Sequence, residues 1–252
     1  MKAVLLQTDI AWGDPDVNIK AAQAMIDRYP GADLYVLPEM FTTGFATQRD
    51  ARLDEDPERT VAWMQSVARA RDCAVAGSVA MREDGKCYNR FFFVTPDSVT
   101  KYDKRHLFSY GGENDRFTAG DDRVVVEYKS VRFLLLVCYD LRFPVWARNC
   151  GDYDAIILVA NWPDVRQEAW DTLTKARAIE NQCFMISVNR SGADPVCNYQ
   201  GGSTLYNPYG NIIVRCKDYA ADAVEGEIDM SMLEDFRAKF PVLADADEFK
   251  LI

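Results

Sequence analysis

Short apolar runs of strand length alternate along this chain with longer segments that carry apolar residues at helical spacing. Residues 2–7 and 33–38 are apolar runs, and a helix-period segment at residues 18–29 lies between them. An order of strand, helix and strand favours neighbouring strands in one sheet. The chain therefore begins as an α/β unit.

The same alternation continues to about residue 228. Helices are predicted at residues 57–71, 144–149 and 166–182, and strands at residues 73–81, 87–95, 124–128, 131–137, 153–160, 184–188, 202–206, 212–216 and 223–228. Residues 101–122 are polar and contain three glycines, a composition typical of a functional loop. The apolar strands at residues 34–37 and 156–159 are typical of strands buried on both faces, so helices must cover the sheets.

We expect one domain spanning residues 1–252, because no linker-like boundary or repeat interrupts the pattern. A domain of this length is common among α/β proteins. The last segment, residues 230–252, combines a short helix with acidic residues. We expect it to pack on the core or on a partner subunit.

Composition and charge exclude several functions. Lys and Arg number 29 against 39 Asp and Glu, and the resulting net charge of −10 repels a phosphate backbone or an anionic membrane on average. No apolar stretch reaches membrane-spanning length. The seven cysteines include no close pair, which fits neither a disulfide scaffold nor a zinc site. We expect a cytoplasmic protein with reduced thiols, no nucleic-acid or membrane partner, and no metal or cofactor.

Three ionisable residues follow predicted strands or lie in the glycine-bearing loop: Glu39, Lys104 and Cys138. Strand ends are where α/β sheets place their sites. A thiol needs a base or a positive neighbour to become a nucleophile. His106, the only histidine, is one candidate partner for Cys138, although the chain lacks the local signatures of papain-like proteases. A structural histidine is the alternative.

Three motifs, in this order, resemble the Glu-Lys-Cys motifs of the nitrilase superfamily of carbon-nitrogen hydrolases. They are Leu37-Pro-Glu39-Met-Phe, Tyr102-Asp-Lys104-Arg-His-Leu-Phe and Leu136-Val-Cys138-Tyr-Asp-Leu-Arg-Phe-Pro. Further similar stretches, such as Ala160-Asn-Trp-Pro, extend the resemblance over about residues 1–230. The resemblance implies a four-layer αββα sandwich of two mixed sheets flanked by helices, assembled as a homodimer or a higher homo-oligomer.

The resemblance also implies a role for each residue of the site. Cys138 is the nucleophile, and Glu39 is the general base that takes its proton and later protonates the leaving amine. Lys104 and the backbone N–H of Tyr139 stabilise the oxyanion. Glu113 resembles the second glutamate that orients the lysine in many of these enzymes.

The motifs look most like those of the omega-amidase branch, which releases ammonia from the terminal amide of 2-oxoglutaramate and similar 2-oxo dicarboxylate monoamides through a thioester. Binding such an anion calls for a guanidinium. Arg166 and Tyr110 are predicted to line the substrate pocket, and Arg142 and Arg190 are further candidates. Nitrile hydrolysis, N-carbamoyl hydrolysis and a non-catalytic thiol-sensing protein on the same fold are the alternatives.

Overall fold

Two six-stranded sheets form the centre of the computed structural model, which describes residues 1–47 and 51–250. The strands are β1 (Lys2–Gln7), β2 (Leu34–Val36), β3 (Ala74–Glu83), β4 (Lys86–Val94), β5 (Val99–Asp103), β6 (Val125–Tyr128), β7 (Val131–Val137), β8 (Ala155–Ala160), β9 (Phe184–Asn189), β10 (Ser191–Ala193), β11 (Asn198–Gln200), β12 (Thr204–Tyr206), β13 (Ile212–Arg215) and β14 (Asp222–Glu227). The sheets have the orders β14-β1-β2-β3-β4-β5 and β13-β12-β9-β8-β7-β6. The remaining pair, β10 and β11, forms a separate hairpin.

Each sheet contains a parallel centre and antiparallel edges. In the first sheet β1, β2 and β3 are parallel, while β14, β4 and β5 pair antiparallel with their neighbours. In the second sheet β7, β8 and β9 are parallel. The carboxyl ends of parallel strands lie at one edge of a sheet, which is where ligand sites form in α/β proteins.

Within the described ranges, five α-helices lie between and after these strands. They are α1 (Pro15–Ile26), α2 (Pro57–Arg71), α3 (Pro144–Ala147), α4 (Gln167–Glu180) and α5 (Met230–Lys239). The side chains of Asp14 and Asp56 accept hydrogen bonds from backbone N–H groups in the first turns of α1 and α2, and each helix begins with proline. These are standard helix start signals, so the sequence itself sets both starts.

Alternate residues of β1 show how the layers are stacked. Val4 and Leu6 pack in a core shared with α1 and α2, whereas Ala3 and Leu5 pack in a second core shared with the other sheet. Trp170 of α4 belongs to that second core. The predicted α/β class and four-layer αββα arrangement are confirmed.

Most of the predicted elements form, but α1 begins and ends three residues before the helix predicted at residues 18–29, and three short strands differ from the prediction. Strand β5 occupies the start of the segment predicted to be a loop at residues 101–122, and the hairpin of β10 and β11 was not predicted. Among the described residues, no helix is long and apolar enough to cross a membrane. The single-domain organisation stays a prediction.

Helix α5 contains the first part of the segment predicted to pack on the core. Leu233 is fully buried in the core that contains Trp170, and Arg237 donates to Asp154 and to the backbone oxygens of Tyr153 and Gln182. This part of the segment therefore packs on the same chain. Leu251 and Ile252 lie outside the described residues, and assembly as a homo-oligomer stays a prediction.

Asp154 joins α5 to the second sheet, which makes it a test of that packing. Its carboxylate accepts from Arg132 at 2.7 and 2.9 Å and from Arg237 at 2.8 Å. We expect Asp154→Ala to lower the free energy of unfolding by about 2 kcal/mol, because both guanidiniums lose a shared charged partner. Urea unfolding measures the loss.

The exposed pair of Asp235 with Lys239 on α5 supplies the control. Asp235→Ala should change stability by less than about 0.5 kcal/mol. Although burial acts to raise the pKa of Asp154, hydrogen bonds from Arg132 and Arg237 hold it below its ordinary value. The Asp154 contribution is therefore present above about pH 4 and is lost as pH falls through the lowered pKa. Equal stabilities for the two variants would contradict this account.

Candidate active site

Residues that follow strands of both sheets meet at one place. Glu39 comes three residues after β2, Lys104 follows β5 directly, and Cys138 follows β7 directly. Glu39 and Lys104 are fully buried, and Cys138 is 7% exposed. The structure thus brings together the three residues on which the sequence interpretation depends.

The segment that carries Glu39 runs along β3 after β2 ends. Backbone N–H groups of Leu37 and Phe41 donate to carbonyls of β3, and the Met40 N–H donates to the hydroxyl of Ser78. A Cβ at Gly77 would lie 2.9 Å from the Cβ of Leu37, so the close approach requires glycine there. This local packing holds Glu39 at the sheet edge.

Lys104 lies between two buried carboxylates. Its Nζ is 2.9 Å from Glu39 Oε1 and lies 3.1 and 2.8 Å from the two carboxylate oxygens of Glu113. Burial acts to lower the pKa of Lys104, but Glu113 and Glu39 raise it above its ordinary value, so the ammonium stays charged. Burial raises the pKa of Glu113 despite the attraction of Lys104.

Asn89 connects the two glutamates, and the sequence interpretation assigned it no role. Its Nδ2 donates to Glu39 Oε1 at 2.7 Å and to Glu113 Oε1 at 3.0 Å, while Ser78 donates to its Oδ1 at 2.8 Å. The sequence signal that could have identified Asn89 is its single amide side chain within a strand, β4, that is otherwise rich in apolar residues. Buried carboxylates need such donors, because an unpaired buried charge is costly.

Asn161 holds Glu39 from the other side and was also missed. Its backbone N–H donates to Glu39 Oε2 at 2.8 Å, and its Nδ2 donates to the backbone oxygen of Glu39 at 2.8 Å. Asn161 directly follows β8, so the second sheet positions a carboxylate that belongs to the first. Both oxygens of the Glu39 side chain therefore accept hydrogen bonds from the protein.

Cys138 begins a short 3-10 helix, Cys138–Arg142, with a left-handed backbone at φ +48°. Burial and the neighbouring Glu39 raise the pKa of its thiol well above the ordinary value, against the opposing charge of Lys104. The thiol is therefore protonated at neutral pH. Tyr139 is the second residue of the helix, a position whose N–H has no partner inside the helix.

The carboxylate of Asp140, which is fully buried, holds this turn in place. It accepts from the Val137 N–H at 2.9 Å, the Tyr102 hydroxyl at 2.8 Å and the His106 N–H at 3.0 Å. The imidazole of His106 lies 2.8 Å from Asp140 and stacks on Phe143 with ring centroids 3.8 Å apart. The structure therefore favours the structural role for His106 over the Cys138–His106 dyad.

A cavity of about 330 Å³ opens above the thiol. Its wall contains Tyr110, Arg142 and Arg166, the three predicted substrate-binding residues. The remaining lining residues include six aromatic side chains: Trp12, Phe45, Thr47, Phe108, Gly111, Cys138, Tyr139, Asn161, Trp162, Pro163, Asp194, Val196, Cys197 and Tyr199. Several of these come from the unpredicted hairpin of β10 and β11.

The two guanidiniums of the cavity wall each lie over an aromatic ring. Arg142 lies over the ring of Trp162 at 5.0 Å and Arg166 over the ring of Phe108 at 5.3 Å. Neither forms an ion pair with another described residue. Arg190, the other candidate, is fully buried and does not line the cavity.

The buried Arg190 instead joins β10 to the segment that follows β1. It donates to the backbone oxygens of Ile10, Ser191 and Ala193. The described residues contain no group of three or more His, Cys, Asp or Glu arranged to hold a metal ion.

The family model for carbon-nitrogen hydrolases matches residues 2–238. The chain therefore belongs to the carbon-nitrogen hydrolase family, in the nitrilase superfamily that its motifs resemble. It is an enzyme of the class that hydrolyses carbon–nitrogen bonds. The predicted family and enzyme class are confirmed.

Two relatives are similar to this chain over almost its whole length. The chain is 44% identical over 254 residues to the omega-amidase YafV of Escherichia coli (strain K12), covering 100% of this chain and 98% of that protein. It is 35% identical to the 2-oxoglutaramate amidase of Bacillus subtilis (strain 168), over 95% of each chain.

A known crystal structure has the same fold as this chain. XC1258 from Xanthomonas campestris, a CN-hydrolase superfamily protein with an arsenic adduct in its active site, matches with a TM-score of 0.95 at 39% identity. The match covers 100% of this chain and 98% of that one.

The left-handed backbone of Cys138 predicts a measurable strain. This conformation costs about 1 kcal/mol or more of free energy for a residue with a Cβ, whereas glycine adopts it without that cost. We expect Cys138→Gly to be more stable than Cys138→Ala by about 1 kcal/mol in urea unfolding. Ala21→Gly, at an exposed position within α1, is the control and should lose about 1 kcal/mol. A Cys138→Gly variant less stable than Cys138→Ala would contradict the inferred strain.

Proposed function

We propose that this enzyme is an omega-amidase, a cysteine-dependent amidohydrolase that releases ammonia from the terminal amide of 2-oxoglutaramate and similar 2-oxo dicarboxylate monoamides. The observation that carries the proposal is the position of Cys138 beside the buried Lys104–Glu39 pair. The wall of the same cavity holds two guanidiniums that form no ion pair with another described residue. The names of the relatives at 44% and 35% identity support the same substrate class.

The first half of the reaction forms a thioester. Glu39 takes the proton of the Cys138 thiol as Sγ attacks the carbon of the terminal amide. The carbonyl oxygen becomes an oxyanion beside Lys104 Nζ and the backbone N–H of Tyr139, each donor being worth about 3 kcal/mol in comparable sites. The raised pKa of the thiol supports this order, because a protonated thiol needs a base at the moment of attack.

The tetrahedral intermediate then loses ammonia. Glu39 returns its proton to the amide nitrogen, the C–N bond breaks, and the acyl group remains on Cys138 as a thioester. Water attacks the thioester while Glu39 accepts a proton from it, and the C–S bond breaks to give the carboxylic acid and a thiol that regains its proton. Lys104 stays charged throughout, held by Glu113.

The cavity wall favours an anionic amide. A carboxylate at the far end of the substrate matches the planar fork of a guanidinium, and both Arg142 and Arg166 are unpaired with other described residues. Tyr110 also lines the cavity and is 87% exposed. In a chain of net charge −10, local cations of this kind are needed to attract such a substrate.

A thiol-sensing role for Cys138 is less consistent with the site. Redox-sensing thiols have low pKa values and are exposed to solvent. Cys138 is buried and its thiol pKa is raised. Nitrile and N-carbamoyl hydrolysis use the same groups and therefore need a direct assay.

An ammonia-release assay with amides, nitriles and N-carbamoyl compounds tests the proposal. We expect 2-oxoglutaramate to have the highest kcat/KM, Cys138→Ser to abolish turnover, and Glu39→Gln to lower kcat by about 10²–10⁴-fold, since a positioned acid–base group contributes that much. Cys150→Ser, which replaces an exposed thiol, should retain wild-type activity. Full activity of Cys138→Ser, or no turnover of any compound by the wild type, would refute the proposal.

Substitution of the cavity arginines tests how the anion is held. We expect Arg166→Ala and Arg142→Ala each to raise KM for 2-oxoglutaramate about 10–100-fold, because a charged hydrogen bond is lost. The kcat/KM of a neutral amide of similar length should change less than threefold. Arg82→Ala, at an exposed position outside the cavity lining, is the matched control. Equal losses for charged and neutral amides would show that these side chains do not bind the carboxylate.

A further inference from the structure

Asn161 carries a buried oxygen that no other described residue satisfies. Its side-chain Oδ1 has no hydrogen-bond partner among the described residues, although Asn161 is only 4% exposed. Buried polar atoms are satisfied in most proteins, so such an atom requires an explanation. Asn161 also lines the cavity that contains Cys138.

The orientation of this amide follows from its other contacts. Nδ2 of Asn161 donates to the backbone oxygen of Glu39 at 2.8 Å. Exchanging Nδ2 and Oδ1 would place two acceptors against each other, so the hydrogen-bond network assigns the oxygen to the unpartnered position. The free group is therefore an acceptor, and its partner must be a donor.

We propose that Asn161 Oδ1 accepts a hydrogen bond from the N–H of the substrate amide and makes Asn161 a specificity-determining residue that selects amides over esters. The inference rests on the amidase function proposed above. An ester with the same acyl group has no hydrogen on its leaving atom, and a nitrile has none on its nitrogen. Neither can satisfy this oxygen.

The position of Glu39 supports the contact. The leaving nitrogen must come within hydrogen-bond reach of Glu39 to be protonated. The backbone N–H of Asn161 donates to the Glu39 carboxylate and its Nδ2 donates to the Glu39 backbone oxygen, so Asn161 packs directly against Glu39. An amide nitrogen in the tetrahedral intermediate has two hydrogens and one lone pair. An acceptor that holds one of these hydrogens helps to turn the lone pair toward Glu39.

The experiment compares kcat/KM for 2-oxoglutaramate with that for the methyl ester of the same acyl group, in the wild type and in Asn161→Ala. The ratio of amide to ester kcat/KM should fall about tenfold in the variant, because only the amide loses a hydrogen bond. Loss of the Nδ2 contact to Glu39 lowers both rates and cancels in the ratio.

Asn89→Ala is the matched control. Asn89 is also an asparagine bound to Glu39, but its Oδ1 accepts from Ser78. It should lower amide and ester turnover by the same factor. Asn161→Ser, whose side chain is one atom shorter, removes the oxygen from the Oδ1 position while keeping a polar group. It should reproduce the change in ratio if Asn161→Ala fails to fold.

Each remaining outcome overturns the inference in a distinguishable way. Equal losses for amide and ester in both Asn161 variants would mean that Asn161 only positions Glu39. A lower kcat with unchanged kcat/KM for both substrates would assign the oxygen to the hydrolytic water. Absence of amide turnover by the wild type would instead refute the proposed function.

Discussion

The buried contact of Lys104 with Glu39 and Glu113 is the interaction on which the site depends. Removing charged groups from water costs several kcal/mol for each ion, and their attraction repays this only when further hydrogen bonds satisfy them. Asn89, the backbone N–H of Asn161 and the backbone N–H of Phe108 supply those bonds. Donors from both sheets must therefore lie close to the three charged groups. The charged cluster can form only when the two sheets are packed together.

The pKa and the conformation of Cys138, the proposed nucleophile, are set by the groups around it. Burial raises the pKa of Cys138 and keeps its thiol protonated, while Glu113 and Glu39 keep Lys104 charged against the opposing effect of burial. Cys138 has a left-handed backbone where it follows β7. Asp140 stabilises the turn by accepting hydrogen bonds from Tyr102 and His106. The proposed nucleophile is thus held in a conformation that an isolated chain would avoid.

Parts of the fold were predictable where the apolar pattern is strong. Strands such as β7 and β8 are continuous apolar runs, and α2 begins at an aspartate followed by proline. Strand β5 was missed because it lies at a sheet edge and only Tyr102 of its residues is buried. Strands β10 and β11 were missed because they consist mainly of small or polar residues and lack the apolar run that marks the equally short β2.

The sequence by itself determined the strand ends, the helix caps and the ordered motifs around Glu39, Lys104 and Cys138, because local spacing and residue type carry that information. Only the tertiary structure decided the partners of those residues. Asn89 and Asn161 reach Glu39 across 50 and 122 positions of sequence. Contacts of that range arise from the stacking of two sheets, and no local pattern records which strand ends will meet.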